Sequence, residues 1–210
     1  MLARCPEGHE SATVYDMRRY RVLLESATLA LHDGYANESV STFAAALERA
    51  HEFFVRVVLR ARLVSSAQVD KVWKDVDSQS ERQLGAFYFL WLVETGEHYP
   101  LDQRYPTIRN RIIHKGRLAT VAEAREFGVL VFDRLKKIEE ALRTHQSAVA
   151  EEQAHEVSAQ QASVPAGLDS VVLTPQTVRV DNKTNDVTSV ETLDELLASI
   201  PKARARGFLP

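Results

Sequence analysis

Proline is missing from this chain over two long stretches, between Pro6 and Pro100 and again between Pro106 and Pro165. Proline removes a backbone donor and clashes with the preceding turn, so its absence leaves both stretches free to form long helices. Apolar residues recur there at helical spacing. Val14, Met17, Leu24, Ala27 and Leu31 share one face and stop at the Asp33-Gly34 turn. After Asn37, which suits an N-cap, Val40, Phe43, Ala44, Leu47, Ala50, Phe54 and Val58 form a second and longer stripe. Ser66 is placed to cap a short helix through Trp73 and Val76. Ser80 with Gln83 reads as a capping box before the run LGAFYFLWLVE, which is apolar almost all round and is expected to be the most buried helix. Thr120 with Glu123 forms another box, opening a helix with Phe127, Val131, Leu135, Ile138 and Leu142 inward. No segment of this body alternates with period two. The expected fold class is all-α, an up-and-down bundle of about five helices with connected neighbours antiparallel.

Residues 1–143 hold 15 of the 16 Phe, Trp and Tyr, the anchors a core needs, and only Phe208 lies beyond. The expected organisation is a helical domain over 1–145, a polar linker over 146–167 and a small C-terminal extension or docking arm over 168–210. In that extension Ser170–Thr174 and Thr177–Val180 read as short strands, Asn182–Asp186 as a turn before Val187–Val190, and Glu191–Ile200 as a short helix stopped by Pro201. A single cysteine, Cys5, excludes an intramolecular disulfide framework. No apolar run reaches the roughly 18–20 residues that span a membrane, and the N-terminus has no signal-peptide core, so a cytoplasmic protein is expected.

The net charge is −3, which excludes a polycation that coats nucleic acid. The distribution is more informative. Residues 1–145 carry 21 basic and 20 acidic side chains, while 146–210 carry five and nine. Within the body, the 18 residues Pro100–Arg117 hold Arg104, Arg109, Arg111, Lys115 and Arg117 against Asp102 alone, a local +4. A solvated helix corner would carry such charges without function. An anion site, with phosphate as its ligand, is the sharper expectation. Pro106 fits the first turn of a short helix in which Asn110 and His114 share a face, away from Ile108 and Ile112. Arg109, five residues from His114, falls roughly 140° round an α-helix from it. Histidine moves a proton near neutrality, and arginine offers a planar fork to phosphate oxygens. Since RNA brings its own nucleophile in the 2′-OH, such a pair can drive intramolecular transesterification without a metal.

Two segments, HDGYANESVSTFAAALERAHEFF and YPTIRNRIIHKGRLATVAEAREF, resemble the HEPN family (higher eukaryote and prokaryote nucleotide-binding domains), whose signature is R-x(4–6)-H with a polar residue after the arginine. The resemblance spans residues 15–143. It implies a helical bundle, a homodimer with a composite cleft and metal-independent ribonuclease activity, with no cofactor. Arg109 and His114 match the catalytic pair and Asn110 the adjacent polar position. Arg104, Arg111, Lys115 and Arg117 become candidate RNA contacts, and Glu48 a cleft-supporting residue. Lys115-Gly116-Arg117 replaces the tyrosine that some members carry after the histidine as a target for a partner nucleotidyltransferase. The expected partners are RNA, a second copy and an antitoxin or regulatory protein, in a toxin–antitoxin or phage-defence setting. The alternative is a catalytically silent HEPN module that dimerises and binds RNA, a nucleotide or a protein.

Other readings are blander. Glu48 and His51 form an E-x-x-H of the kind found in di-iron bundles, repeated only at Glu152 and His155, so no metal is expected. Cys5 and His9 make at most half of a zinc site. The aromatic run at Phe87, Tyr88, Phe89 and Trp91 suits core packing better than base stacking, and Lys202, Arg204 and Arg206 suit a solvated tail.

Overall fold

In the computed structural model, which describes residues 2–99, 102–173 and 192–205, the longest apolar stripe becomes the longest helix, α2 (Ala36–Ala61). All seven residues of that stripe are buried. At 1.5 Å per residue, 26 residues run about 39 Å, enough for several elements to pack around one axis. Helix α1 (Arg19–His32) lies along it through Tyr20, Leu24, Ala27 and Leu31 after a tight turn at Gly34. The helix opened by Thr120, here called α6 (Val121–Ala141), turns Phe127, Val131, Leu135 and Ile138 inward. Its capping box forms: the Thr120 hydroxyl accepts from the Glu123 N–H at 3.2 Å. Shorter helices α3 (Ser66–Trp73), α4 (Ser80–Thr95) and α5 (Arg104–Arg109) complete the body, a mostly helical fold. No helix among the described residues is long and apolar enough to cross a membrane.

Several local expectations are corrected. Ser65, not Ser66, caps α3, with Gln68 completing the box. The box at Ser80 does not form, and Gln79 precedes α4 without a side-chain cap. Asn37 lies inside α2, where its side chain accepts the Ala119 N–H at 2.6 Å and ties the start of α2 to the approach of α6. The largest difference is α4 itself. Only Gln83, Phe87 and Trp91 are buried, one narrow stripe at a spacing of four, while Phe89 is 76%, Val93 60% and Leu92 50% exposed. Apolar residues all round a helix permit full burial, yet α4 packs at the margin and leaves Phe89, Leu92 and Val93 uncovered.

The expected linker is also corrected. A 3₁₀ turn (Leu142–His145) leads from α6 straight into α7 (Gln146–Ala162), which packs on α2 through Ala148 and Val149. It has no long apolar stripe, but Ala, Glu and Gln are good helix formers. Glu152, only 2% exposed, anchors it by accepting from Arg60 Nε of α2 at 3.1 Å. Period-two structure exists at the N-terminus after all. Strands β1 (Leu2–Arg4) and β2 (Glu10–Tyr15) pair antiparallel, and β3 (Asp169–Leu173) joins β2 in parallel. Val14 therefore belongs to β2, where it is buried with Ala12, rather than to the first helix.

Helix α8 (Leu193–Ala205) docks on the body, burying Leu193, Leu196 and Ile200. Pro201 does not stop it. A proline inside a helix costs about 3 kcal/mol, and here the three apolar anchors before it and the Arg204–Asp33 ion pair at 2.7 Å after it offset that cost. The expected elements at Thr177–Val180, Asn182–Asp186 and Val187–Val190 lie outside the described residues. Where α2, α6 and α8 meet, α6 carries Gly128. A Cβ there would stand 2.7 Å from Phe43 Cε2 and 2.8 Å from Leu193 Cδ2.

Gly128→Ala therefore sets overpacking of about 1–3 kcal/mol against a gain in helix propensity of about 1 kcal/mol. Thermal unfolding should show a net loss of stability, with earlier proteolysis of the tail. A variant more stable than wild type would contradict the close packing of these three helices.

Candidate functional site

Helix α5 begins with Arg104 and Tyr105 and takes Pro106 in its first turn, where the missing N–H costs little. It does not simply continue. Asn110–His114 form a π-helical turn, in which Lys115 donates its N–H to the Asn110 carbonyl, five residues back, at 3.1 Å. Such insertions are frequent at functional sites. The geometric consequence is direct. In an α-helix, residues five apart diverge by about 140°. A turn whose hydrogen bonds close over five residues rotates less per residue, so the divergence between Arg109 and His114 is narrowed. Gly116, at a φ of 65°, ends the turn in the left-handed region that glycine tolerates best. The His114 side chain lies outside what the structure describes.

Arg109 reaches α2, where its Nη2 donates to Glu48 Oε1 at 2.7 Å. Together with Asn110, these side chains line a cleft of about 210 Å³. One wall is α2, contributing Glu48 and His51. Another is the first turn of α4, with Ser80, Glu81, Gln83 and Leu84, and the rest comes from Tyr105, Pro106, Arg109 and Asn110. Three of the predicted site residues, Arg109, Asn110 and Glu48, are thus brought together across 61 residues of chain.

The other candidate RNA contacts stand differently. Arg104 pairs with Asp102 at 2.7 Å and Glu126 at 3.3 Å. Arg111 and Arg117 share Glu123, at 2.7 and 3.1 Å. Lys115 is exposed. None of these four is among the described residues that line the cleft. Four of the five cations of the segment meet four carboxylates (Asp102, Glu48, Glu123 and Glu126), so with Lys115 counted the local +4 of the sequence becomes +1 in space.

His51 is the cleft residue that the sequence pointed to only through an unconvincing metal motif. It follows Glu48 by three positions, which places both on one face of α2. Its ring is 6% exposed, stacks on Phe87 at 4.1 Å between centroids and meets the edge of Tyr99 at 5.9 Å. Burial among these rings holds its pKa down to about 3, so it is neutral. Its Nε2 has no hydrogen-bond partner among the described residues. Gln83 is by contrast committed: it donates to the Asp77 carbonyl at 2.7 Å and accepts from Arg49 at 3.1 Å. Tyr105 stacks on Phe127 at 5.0 Å, and burial, reinforced by the Glu48 charge, raises its hydroxyl above the ordinary tyrosine value. Nothing in the sequence marks Ser80, Glu81 or Tyr105 as cleft residues.

Of the two E-x-x-H pairs, Glu152–His155 has a further carboxylate nearby, Asp70 at 3.8 Å from His155 Nε2, and both glutamates are held by arginines, Glu48 by Arg109 and Glu152 by Arg60. Among the described residues, one group could hold a metal. Cys5, Glu7 and His9, at the turn between β1 and β2, bring their donor atoms within 4.8 Å of one another, all exposed. Glu7 adds a third donor to the half-site seen in the sequence, and this donor set suits zinc. No protein-family model matches the chain, and no curated protein or solved structure is significantly similar to it.

The buried neutral imidazole makes stability pH-dependent. The unfolded ring binds its proton near pH 6.5 and the folded ring only near 3. Between those values the unfolded state holds the extra proton, so the contribution is full above pH 6.5 and is lost as pH falls. Urea unfolding of wild type against His51→Phe should show the variant losing less stability between pH 7 and 5, by about 1–2 kcal/mol. Equal losses would mean that His51 protonates freely in the folded protein.

Proposed function

We propose that this chain is a metal-independent endoribonuclease of the HEPN type. The observation that carries the reading is the cleft in which Glu48 holds the Arg109 guanidinium beside Asn110, at the head of a π-turn that ends in His114. In this mechanism neutral His114 takes the proton of a ribose 2′-OH. The 2′-oxygen then attacks the adjacent phosphorus, and the P–O5′ bond breaks. The leaving 5′-oxygen takes a proton from solvent while His114 gives its own back to solvent, leaving a 5′-OH and a 2′,3′-cyclic phosphate. Arg109 stabilises the charge that builds on the phosphoryl oxygens. Asn110 orients the phosphate or His114, and Glu48 is a positioning residue acting through Arg109. Arg104, Arg111, Lys115 and Arg117 bind the flanking strand, three of them by exchanging carboxylate partners for phosphates.

A second copy completes the site. The uncovered face of α4, with Phe89, Leu92 and Val93, belongs to the helix whose first turn lines the cleft, so pairing there sets two clefts side by side. Apolar surface of this kind favours association. The biological setting is a toxin–antitoxin or phage-defence system in the cytoplasm, with an antitoxin or regulatory protein as a further partner. One observation favours the alternative, a catalytically silent HEPN module: four of the five basic residues of the segment already sit in ion pairs.

Purified protein should cut RNA in EDTA, with Arg109→Ala lowering the rate about 10²–10³-fold and His114→Ala about 10²–10⁴-fold. Cleavage undiminished in both variants would remove these residues from the chemistry, and binding without cleavage would leave the silent module. Phe89→Glu, at an exposed position, should convert a dimer to a monomer by light scattering and depress cleavage. A wild type that is monomeric at micromolar concentration would contradict the paired site.

A further inference from the structure

We infer that the recess behind Arg109 seats one amino-bearing nucleobase (adenine, cytosine or guanine), with His51 as its specificity-determining contact. The inference rests on the ribonuclease reading for its substrate, but on separate observations for the site. The first is size. At about 210 Å³ the recess falls below the roughly 300–1,000 Å³ of clefts that take whole drug-sized ligands, and suits a single ring system. The second is charge. Glu48 and Glu81 line it, and among the described residues Arg109 is its only lining cation, already engaged with Glu48. A phosphate lying between Glu48 and Glu81 would be repelled by both carboxylates, whereas a neutral planar ring is not; the phosphate of the ribonuclease reading stays on the Arg109 guanidinium at the edge.

The third observation is His51, a residue that lines the recess, is nine-tenths buried and has an enclosed Nε2 without a hydrogen-bond partner among the described residues. Buried polar atoms are nearly always satisfied, and those that are not need a reason. A base edge supplies the missing partner. Leu84, Pro106 and the Tyr105 ring add apolar surface for the faces of a ring. Carboxylates accept the N–H groups of exocyclic amines, as in recognition of cytosine N4. Uracil has no such amine and would turn carbonyl oxygens toward carboxylates, so it is disfavoured. This division of labour, Arg109 on phosphate and His51 on the base, is the usual one, in which phosphate contacts position and base contacts specify. An unstacked base of single-stranded RNA can enter such a recess, while a paired base cannot.

Calorimetry on the full chain with the 3′-monophosphates of adenosine, cytidine, guanosine and uridine, and with inorganic phosphate, tests this. At least one amino-bearing nucleotide should bind roughly tenfold or more tightly than the uridine nucleotide. His51→Phe should abolish that preference while leaving affinity for inorganic phosphate unchanged. Glu81→Gln, at an exposed position where folding is not at stake, should weaken the preference. Equal binding of all four nucleotides, no binding of any, or a preference untouched by both substitutions would overturn the inference. The two readings fail separately. Selective nucleotide binding without RNA cleavage removes the ribonuclease and keeps the recess. Cleavage without any base preference at the cut removes the recess and keeps the ribonuclease.

Discussion

Burial of α2 on nearly all sides is the constraint from which the rest of the structure follows. Its apolar stripe collects α1, α4 and α6, and its arginines collect α7 through Glu152. A helix so enclosed has little room for polar side chains, and those it keeps are tied down. Ser39 donates to the Ala27 carbonyl, and Arg56 to Asp70, both across helix boundaries. Glu48 and His51 are where this enclosure opens. They belong to the central helix yet line a cleft, so the cleft inherits the rigidity of the core.

Rigid placement matters for phosphate chemistry because a guanidinium already held in position need not be reorganised during reaction. The Glu48–Arg109 pair provides that holding, and the π-turn narrows the angle that a plain α-helix would put between residues five apart. Two departures from regular structure, the widened turn and the orphaned imidazole nitrogen, fall within one small region. Departures that cost stability tend to gather at functional sites. The ion pairs around the segment also change its electrostatic character. Instead of an open cationic patch, the surface presents arginines paired with carboxylates.

Much of the fold was legible in the sequence because α2 and α6 each display one apolar stripe of the correct period, and their buried residues are the ones that stripe names. The same logic misjudged α4, since a helix apolar all round states no preferred face, and burial is settled by what else packs nearby. It also missed α7, whose attachment is a buried glutamate rather than an apolar stripe, and β2, too short to outweigh the helical pattern that Val14 and Met17 seemed to begin. At the candidate site, the motif located Arg109 and Asn110. Glu48 came only with the family resemblance, and His51 only as part of a metal motif. Charge counted along the chain overstated the cationic patch because Glu48, Glu123 and Glu126 come from α2 and α6, beyond the window counted. No pattern in the sequence announces a π-turn.

The central claim is that RNA is cut by its own 2′-hydroxyl, with Arg109 and His114 acting on one phosphate. Mass analysis of the 3′ ends released by the purified protein in EDTA tests it most directly. The account predicts 2′,3′-cyclic phosphate termini opposite 5′-hydroxyls, the signature of transesterification. Fragments ending in a 3′-hydroxyl opposite a 5′-phosphate would show that water, rather than the ribose, attacks phosphorus, and would contradict it.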